Sequence, residues 1–283
     1  MRAARWMSTA LVVAIVAVAC GYDPDEDAVV PTVEREAPPV STTTSTTLPP
    51  GGRQPTAEEP LRVVFAGDSV MAELAPAASD ALNRGESAEA KFVLSPGVSL
   101  DAGAEALWRQ QLETFDPEVI VILVGTWETG GQLGVPGTPG WRIGYDEAVL
   151  DPFVELLTST GAELVWVGMP AVADPASTIQ LAELNAAYAD LPDRFEAVTY
   201  IPGEEYLSAP TGGYAEFLDS ADGPERVRRL DGLHLCPAGA ERLAEPVLDQ
   251  IVERWNVETA DDWRSGAWRR PPELVKPEEC PPA

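Results

Sequence analysis

One histidine, two lysines and three cysteines leave 283 residues little for metal binding or thiol chemistry, and Lys and Arg together number 19 against 46 Asp and Glu. A lone histidine without a cysteine cluster leaves no metal-ligand set, because zinc sites draw on three or four such ligands, and no cofactor is expected. With lysine only at Lys91 and Lys276 and a formal net charge of -27, a phosphate backbone or an anionic membrane face is excluded as a partner. The acidity itself needs no acidic substrate chemistry, since it keeps an exposed protein soluble.

What is there begins with an export-like leader. Arg2 and Arg5 precede an apolar run from Ala10 to Ala19 and then Cys20, the layout of a bacterial signal segment over residues 1–20. Ala17-Val18-Ala19-Cys20-Gly21 reads as a lipoprotein cleavage site with Cys20 as the lipidated residue, although Leu is commoner than Ala three places before the cysteine. The other readings are a plain signal peptide and a short amino-terminal membrane helix. Residues 21–60 are acidic and rich in Ser, Thr and Pro, with almost nothing to bury, and are expected to be a disordered linker. An exported, membrane-anchored or envelope protein follows, touching the membrane through a lipid anchor only. If Cys20 carries lipid, Cys236 and Cys280 remain as an even pair in an oxidising compartment, and a disulfide is expected there; the alternative is two free thiols.

The stretch 61–255 is long enough for one α/β domain with its own core, followed by a tail, 256–283, expected to pack on it. Apolar runs at Leu61–Ala66, Glu118–Val124 and Glu163–Val167 each end in glycine, and weaker strand candidates lie at Lys91–Leu94 and Ala197–Ile201. Helical spacing fills the intervals at Val70–Asn83, Asp101–Phe115, Tyr145–Thr160, Thr178–Asp190 and Pro237–Trp255. Such alternation predicts a parallel sheet with helices on both faces, a flavodoxin-like three-layer α/β/α arrangement whose chemistry sits at the carboxyl ends of the strands.

Ser69 stands at one such end, in Gly67-Asp68-Ser69, on a tight strand-to-helix turn. A serine hydroxyl attacks only when a base takes its proton, and nearby backbone amides stabilise the oxyanion that results. Taken alone, Ser69 is as readily a helix N-cap. His234 changes that reading, because it lies in Asp231-Gly232-Leu233-His234 just before the last helix. A carboxylate three residues before an imidazole, across a glycine turn, can hold one ring nitrogen and leave the other to accept a proton from serine.

An early Gly-Asp-Ser paired with a late Asp-x-x-His resembles the bookend pattern of the SGNH (GDSL-like) serine hydrolases. The resemblance implies a carboxylic ester hydrolase with Ser69 as nucleophile, His234 as base and Asp231 as its support. It assigns the oxyanion hole to the amides of Ser69 and Gly97 and to an asparagine after the central strand. This chain departs there: it reads Gly125-Thr126-Trp127-Glu128, so the donor is Trp127 through its indole N–H, or Thr126, or a backbone amide. The expected reaction is hydrolysis of a small acyl ester, an O-acetyl group on an envelope polysaccharide being the form the resemblance suggests. The same triad serves an O-acyltransferase, and a non-catalytic envelope-binding module is the reading from another class.

The Gly- and Pro-rich stretch Gly130–Gly140, leading to Trp141, Arg142 and Tyr145, is expected to loop over the site. Asp68, Trp127, Trp141 and Tyr145 are the candidate substrate-binding residues. A second insertion, Gly203–Arg229 with Tyr206, Tyr214 and Phe217, is the candidate opposite wall.

Overall fold

The computed structural model describes residues 53–94, 98, 102–130, 134–269 and 277–282. The leader, Cys20, the linker through residue 52 and Gly97 lie outside the described residues.

Five parallel strands form the centre: β1 (Leu61–Gly67), β2 (Ala88–Leu94), β3 (Val119–Leu123), β4 (Glu163–Val167) and β5 (Val198–Ile201), in the spatial order β2-β1-β3-β4-β5. Every residue of β3 is buried, as a strand covered by helices on both faces must be. β1, with Leu61, Val63, Val64, Phe65 and Ala66 at zero exposure, pairs with β2 on one side and β3 on the other. The order reverses beside β1, so the chain leaves β1 and β3 on the two sides of a switch point, where α/β sheets open a crevice at their carboxyl ends.

The helices are α1 (Met71–Arg84), α2 (Ala102–Phe115), α3 (Trp141–Tyr145), α4 (Asp151–Thr158), α5 (Pro175–Ala189), α6 (Leu191–Arg194), α7 (Gly203–Tyr206) and α8 (Pro237–Trp255). A π-helical turn, Asp146–Leu150, joins α3 to α4, so the segment read as one helix from Tyr145 is a longer, wider-wound run that begins at Trp141. An aromatic series fills the core beside β4: Trp108 meets Phe153 edge-on at 5.7 Å, Phe153 meets Trp166 at 6.3 Å, and Trp166 meets Tyr188 at 4.6 Å. Such pairs add roughly 0.5–1.5 kcal/mol each beyond area burial.

Three features add to or differ from the sequence expectations. First, the domain starts before Leu61: Arg53 donates from Nε to Glu118 Oε1 at 2.8 Å and from Nη2 to Glu118 Oε2 at 2.5 Å, fastening the end of the presumed linker to the foot of β3. Second, the insertion Gly203–Arg229 holds an antiparallel hairpin, β6 (Phe217–Ser220) and β7 (Gly223–Arg226), whose short strands carry too little apolar alternation to stand out. Third, Trp141 and Tyr145 are core residues. Trp141 is 7% and Tyr145 2% exposed, their rings stack at 5.0 Å, and the Tyr145 hydroxyl meets that of Tyr188 at 3.1 Å. The glycines before them, with positive φ at Gly134, Gly137 and Gly140, turn the chain inward, so neither ring is presented to a ligand.

Cys236, which precedes α8, is bonded to Cys280 with Cα atoms 5.8 Å apart. The tail also contributes Trp263, buried and packed with Trp268, and Ala260 N–H donates to Ala81 O on α1 at 2.9 Å.

Candidate active site

The nucleophile turn is built by close approach. A side chain on Gly67 would put its Cβ 2.0 Å from the Leu123 carbonyl, so only glycine lets the ends of β1 and β3 come together here. Asp68 follows, 1% exposed, and its carboxylate joins the two turns. Oδ1 accepts from Val70 N at 2.9 Å, while Oδ2 accepts from Gly125 N at 3.3 Å, Thr126 N at 3.1 Å and Thr126 Oγ1 at 2.5 Å. All of this is internal, so Asp68 shapes the turn and is spent as a substrate ligand. Thr126 is likewise spent as an oxyanion donor, since its amide and hydroxyl both serve Asp68.

Between those fixed neighbours Ser69 is half-buried and caps no helix; the N-cap of α1 is Val70, which makes no side-chain cap. Its Oγ lies 2.8 Å from His234 Nε2. The other ring nitrogen, Nδ1, lies 2.7 Å from Asp231 Oδ2. Asp231 Oδ1 in turn accepts from Leu233 N at 2.9 Å and His234 N at 3.0 Å, so one carboxylate holds both the ring and the backbone that carries it. Partial burial pushes the Asp231 carboxyl up, but the His234 ring and the two amides outweigh it and hold it below the usual range. Gly232 makes the turn possible: its φ is +72°, and an added Cβ would stand 2.3 Å from Ala173 Cβ.

Two consecutive arginines brace this turn from beneath, a feature that the sequence reading passed over. Arg228 is fully buried and donates to Leu233 O at 3.1 Å and Ala171 O at 3.0 Å. Burial pushes its pKa down to about 10. Arg229 contacts Glu73 of α1 and reaches Glu279 Oε2 in the tail at 3.2 Å. Glu73 also accepts from Leu235 N, the residue after the histidine. Tandem arginines two residues before the triad turn, in so acidic a chain, were the signal available.

Trp127 is 60% exposed at the crest beyond β3, open to a ligand. Beside the triad lies a cleft of about 210 Å³, lined among others by Thr126, Val172, Ala173, Ser177, Leu181 and Gly232. Glu128, next after Trp127, is the other residue the sequence did not flag: it is buried, and its Oε1 accepts from Val98 N at 2.5 Å. Tyr206 is exposed, whereas Tyr214 and Phe217 are half-buried.

The family model described as protein of unknown function DUF459 matches residues 62–250, the whole span from β1 into α8. The chain belongs to this family. The DUF459 domain joins Ser69, His234 and Asp231 at the carboxyl edge of a five-stranded parallel sheet. No curated protein matches it. It is similar in fold to a putative acylhydrolase from Bacteroides fragilis, with 16% identity and a TM-score of 0.49 over 72% of this chain and 91% of that one. A GDSL-like lipase from Bacteroides thetaiotaomicron gives 16% and 0.46 over 71% and 92%. A catalytic variant of an acetylxylan esterase from Geobacillus stearothermophilus gives 13% and 0.43 over 68% and 94%.

Proposed function

We propose that the DUF459 domain is a serine esterase for small acyl esters. One observation carries the reading: Ser69 Oγ, His234 and Asp231 form an unbroken hydrogen-bonded series, 2.8 Å and 2.7 Å at its two links, at the carboxyl edge of the sheet. In this reading His234 Nε2 takes the Ser69 proton as Oγ attacks the ester carbonyl. Asp231 steadies the imidazolium, and His234 then returns the proton to the leaving alkoxide. Water, activated by the same imidazole, releases the acyl group from Ser69.

The oxyanion donors are assigned by proposal to the amides of Ser69 and Gly97, with the Trp127 indole as the third. Thr126 is left out because Asp68 holds both of its donors. A cleft of about 210 Å³ beside the triad is small against the roughly 300 Å³ or more typical of drug-sized ligands, which supports a short acyl group such as acetyl over a fatty chain. An acylated envelope sugar presented to a lipid-anchored enzyme fits the leader and linker read in the sequence.

The deciding experiment is labelling of the purified domain with a fluorophosphonate probe. Modification mapped to Ser69, lost in His234→Ala, supports the esterase; a folded wild-type domain that stays unlabelled overturns it.

A further inference from the structure

Two chain segments meet along the cleft beside the triad. One follows β4 and brings Val172 and Ala173; the other is the triad turn, with Asp231, Gly232 and Leu233. Ala173 N donates to Gly232 O at 2.9 Å, so the two segments form a seam in the lining of the cleft. Thr178 of α5 holds the first segment as well, its Oγ1 accepting from Val172 N at 3.0 Å and donating to Val172 O at 2.8 Å.

Arg228 crosses that seam. Its Nη1 donates to Leu233 O at 3.1 Å and its Nη2 to Ala171 O at 3.0 Å, one carbonyl in each segment. The guanidinium is fully buried; among the described residues its Nε has no hydrogen-bond partner and no carboxylate pairs with it. Burial pushes its pKa down to about 10 against the opposing pull of Tyr214, Glu73 and Asp231, so it remains a cation at neutral pH. A buried cation without a paired anion is costly, and an apolar side chain would fill the same space at less cost. What the guanidinium supplies instead is a planar, two-pronged, charge-assisted hold on two carbonyls, which neither an apolar side chain nor a single ammonium provides.

Resting on the esterase reading above, we propose that Arg228 is a specificity-determining positioning residue: by fastening Ala171 to Leu233 it keeps the seam closed and restricts the cleft of about 210 Å³ to short acyl groups. Arg228 does not itself line the cleft and acts through the backbone of residues that do or that adjoin it. Without its fork the Ala173–Gly232 bond carries the seam alone, the segments part, and longer acyl chains gain room.

The test compares p-nitrophenyl acetate, butyrate and hexanoate as substrates of the wild type, Arg228→Lys and Arg228→Met. The wild type prefers the acetate. In Arg228→Met the acetate-to-hexanoate ratio of kcat/KM falls roughly tenfold, the order of discrimination that a pocket achieves over a methylene. Arg228→Lys keeps the cation but lacks the second prong, and it relaxes the ratio by about threefold or more. Loss of folded enzyme cancels in this ratio, so a residue that only stabilised the fold would leave it unmoved. A ratio unchanged from the wild type in either variant that folds overturns the inference. Amide hydrogen exchange reads the seam without turnover. Ala173 N–H is protected in the wild type and exchanges about tenfold faster or more in Arg228→Lys, whereas Val121 in the middle of β3 speeds up only as far as global stability falls. An Ala173 amide that is unprotected in the wild type overturns the inference whether or not ester is cleaved. A wild type that cleaves none of the three esters, with Ala173 protected there and released in Arg228→Lys, overturns the esterase reading instead.

Discussion

Glu73, in the first turn of the helix that follows the nucleophile, is in direct ionic contact with Arg229, two residues before the Asp231 turn. The same carboxylate accepts from the Leu235 amide. The element behind Ser69 and the element carrying His234 are thus fixed to one another beneath the 2.8 Å link between their side chains. Breaking one partner of a buried pair costs about 3–5 kcal/mol. Arg229→Met is accordingly expected to lower stability by about 3 kcal/mol and kcat by more than the same variant lowers substrate binding. Chemical denaturation together with ester kinetics checks both; an unchanged kcat would restrict Arg229 to stability.

Ser69→Ala and His234→Ala are expected each to abolish hydrolysis of p-nitrophenyl acetate while leaving the far-ultraviolet circular dichroism unaltered. Asp231→Asn is expected to lower kcat by about a thousandfold or more, since the imidazole loses its anionic support. A Ser69 or His234 variant retaining most of the wild-type rate means that the triad is misassigned.

The depressed Asp231 carboxyl also predicts a pH dependence of stability. A group whose folded pKa lies below its unfolded value near 3.9 stabilises the fold above that value, and the contribution disappears as pH falls through the folded pKa. The stability gap between wild type and Asp231→Asn should therefore be constant above about pH 5 and close under stronger acid. Thermal melts in matched buffers measure it, and a gap that widens on acidification contradicts the sign.

Trp127→Phe keeps the exposed ring and removes the N–H. A loss of about 2 kcal/mol or more in transition-state binding with KM little changed is the outcome expected if the indole donates to the oxyanion. No change in kcat leaves Trp127 as part of the pocket wall.

The Cys236–Cys280 bond closes a loop with a sequence separation of 44, for which chain entropy gives roughly 4 kcal/mol. Reduction, or Cys280→Ser, should cost about that much in stability. It should also lower activity, because the tail's Glu279 holds Arg229 and its backbone oxygen accepts from Leu230 N at 3.1 Å. Denaturant midpoints and ester kinetics with and without reductant decide between a staple that only stabilises and one that aims the base.

The layers were legible because burial leaves a plain signature. Leu61–Gly67, Glu163–Val167 and Pro237–Trp255 read directly as strand, strand and helix, since fully covered strands are continuous apolar runs and α8 starts at a proline that its N-terminus tolerates. Ser69, Asp231 and His234 were legible because residue type, spacing and a glycine turn together imply their contacts. Trp141 and Tyr145 misled because an aromatic beside a Gly/Pro stretch looks the same whether it faces a ligand or a core. Glu73, Glu128 and Arg228 were opaque for a related reason: a buried charge is recognised by its partners, and these lie on other elements. Glu128 and Val98, for example, are 30 residues apart.

The contact between Ser69 and His234 spans 165 residues of chain. Synthesis therefore completes the nucleophile, all five strands of the central sheet and the helices between them before the base exists. Any product that stops short of His234 carries a serine in its finished turn with nothing to take its proton. In such a chain, chemistry is the last property acquired, and its appearance reports that the two ends of the domain have met.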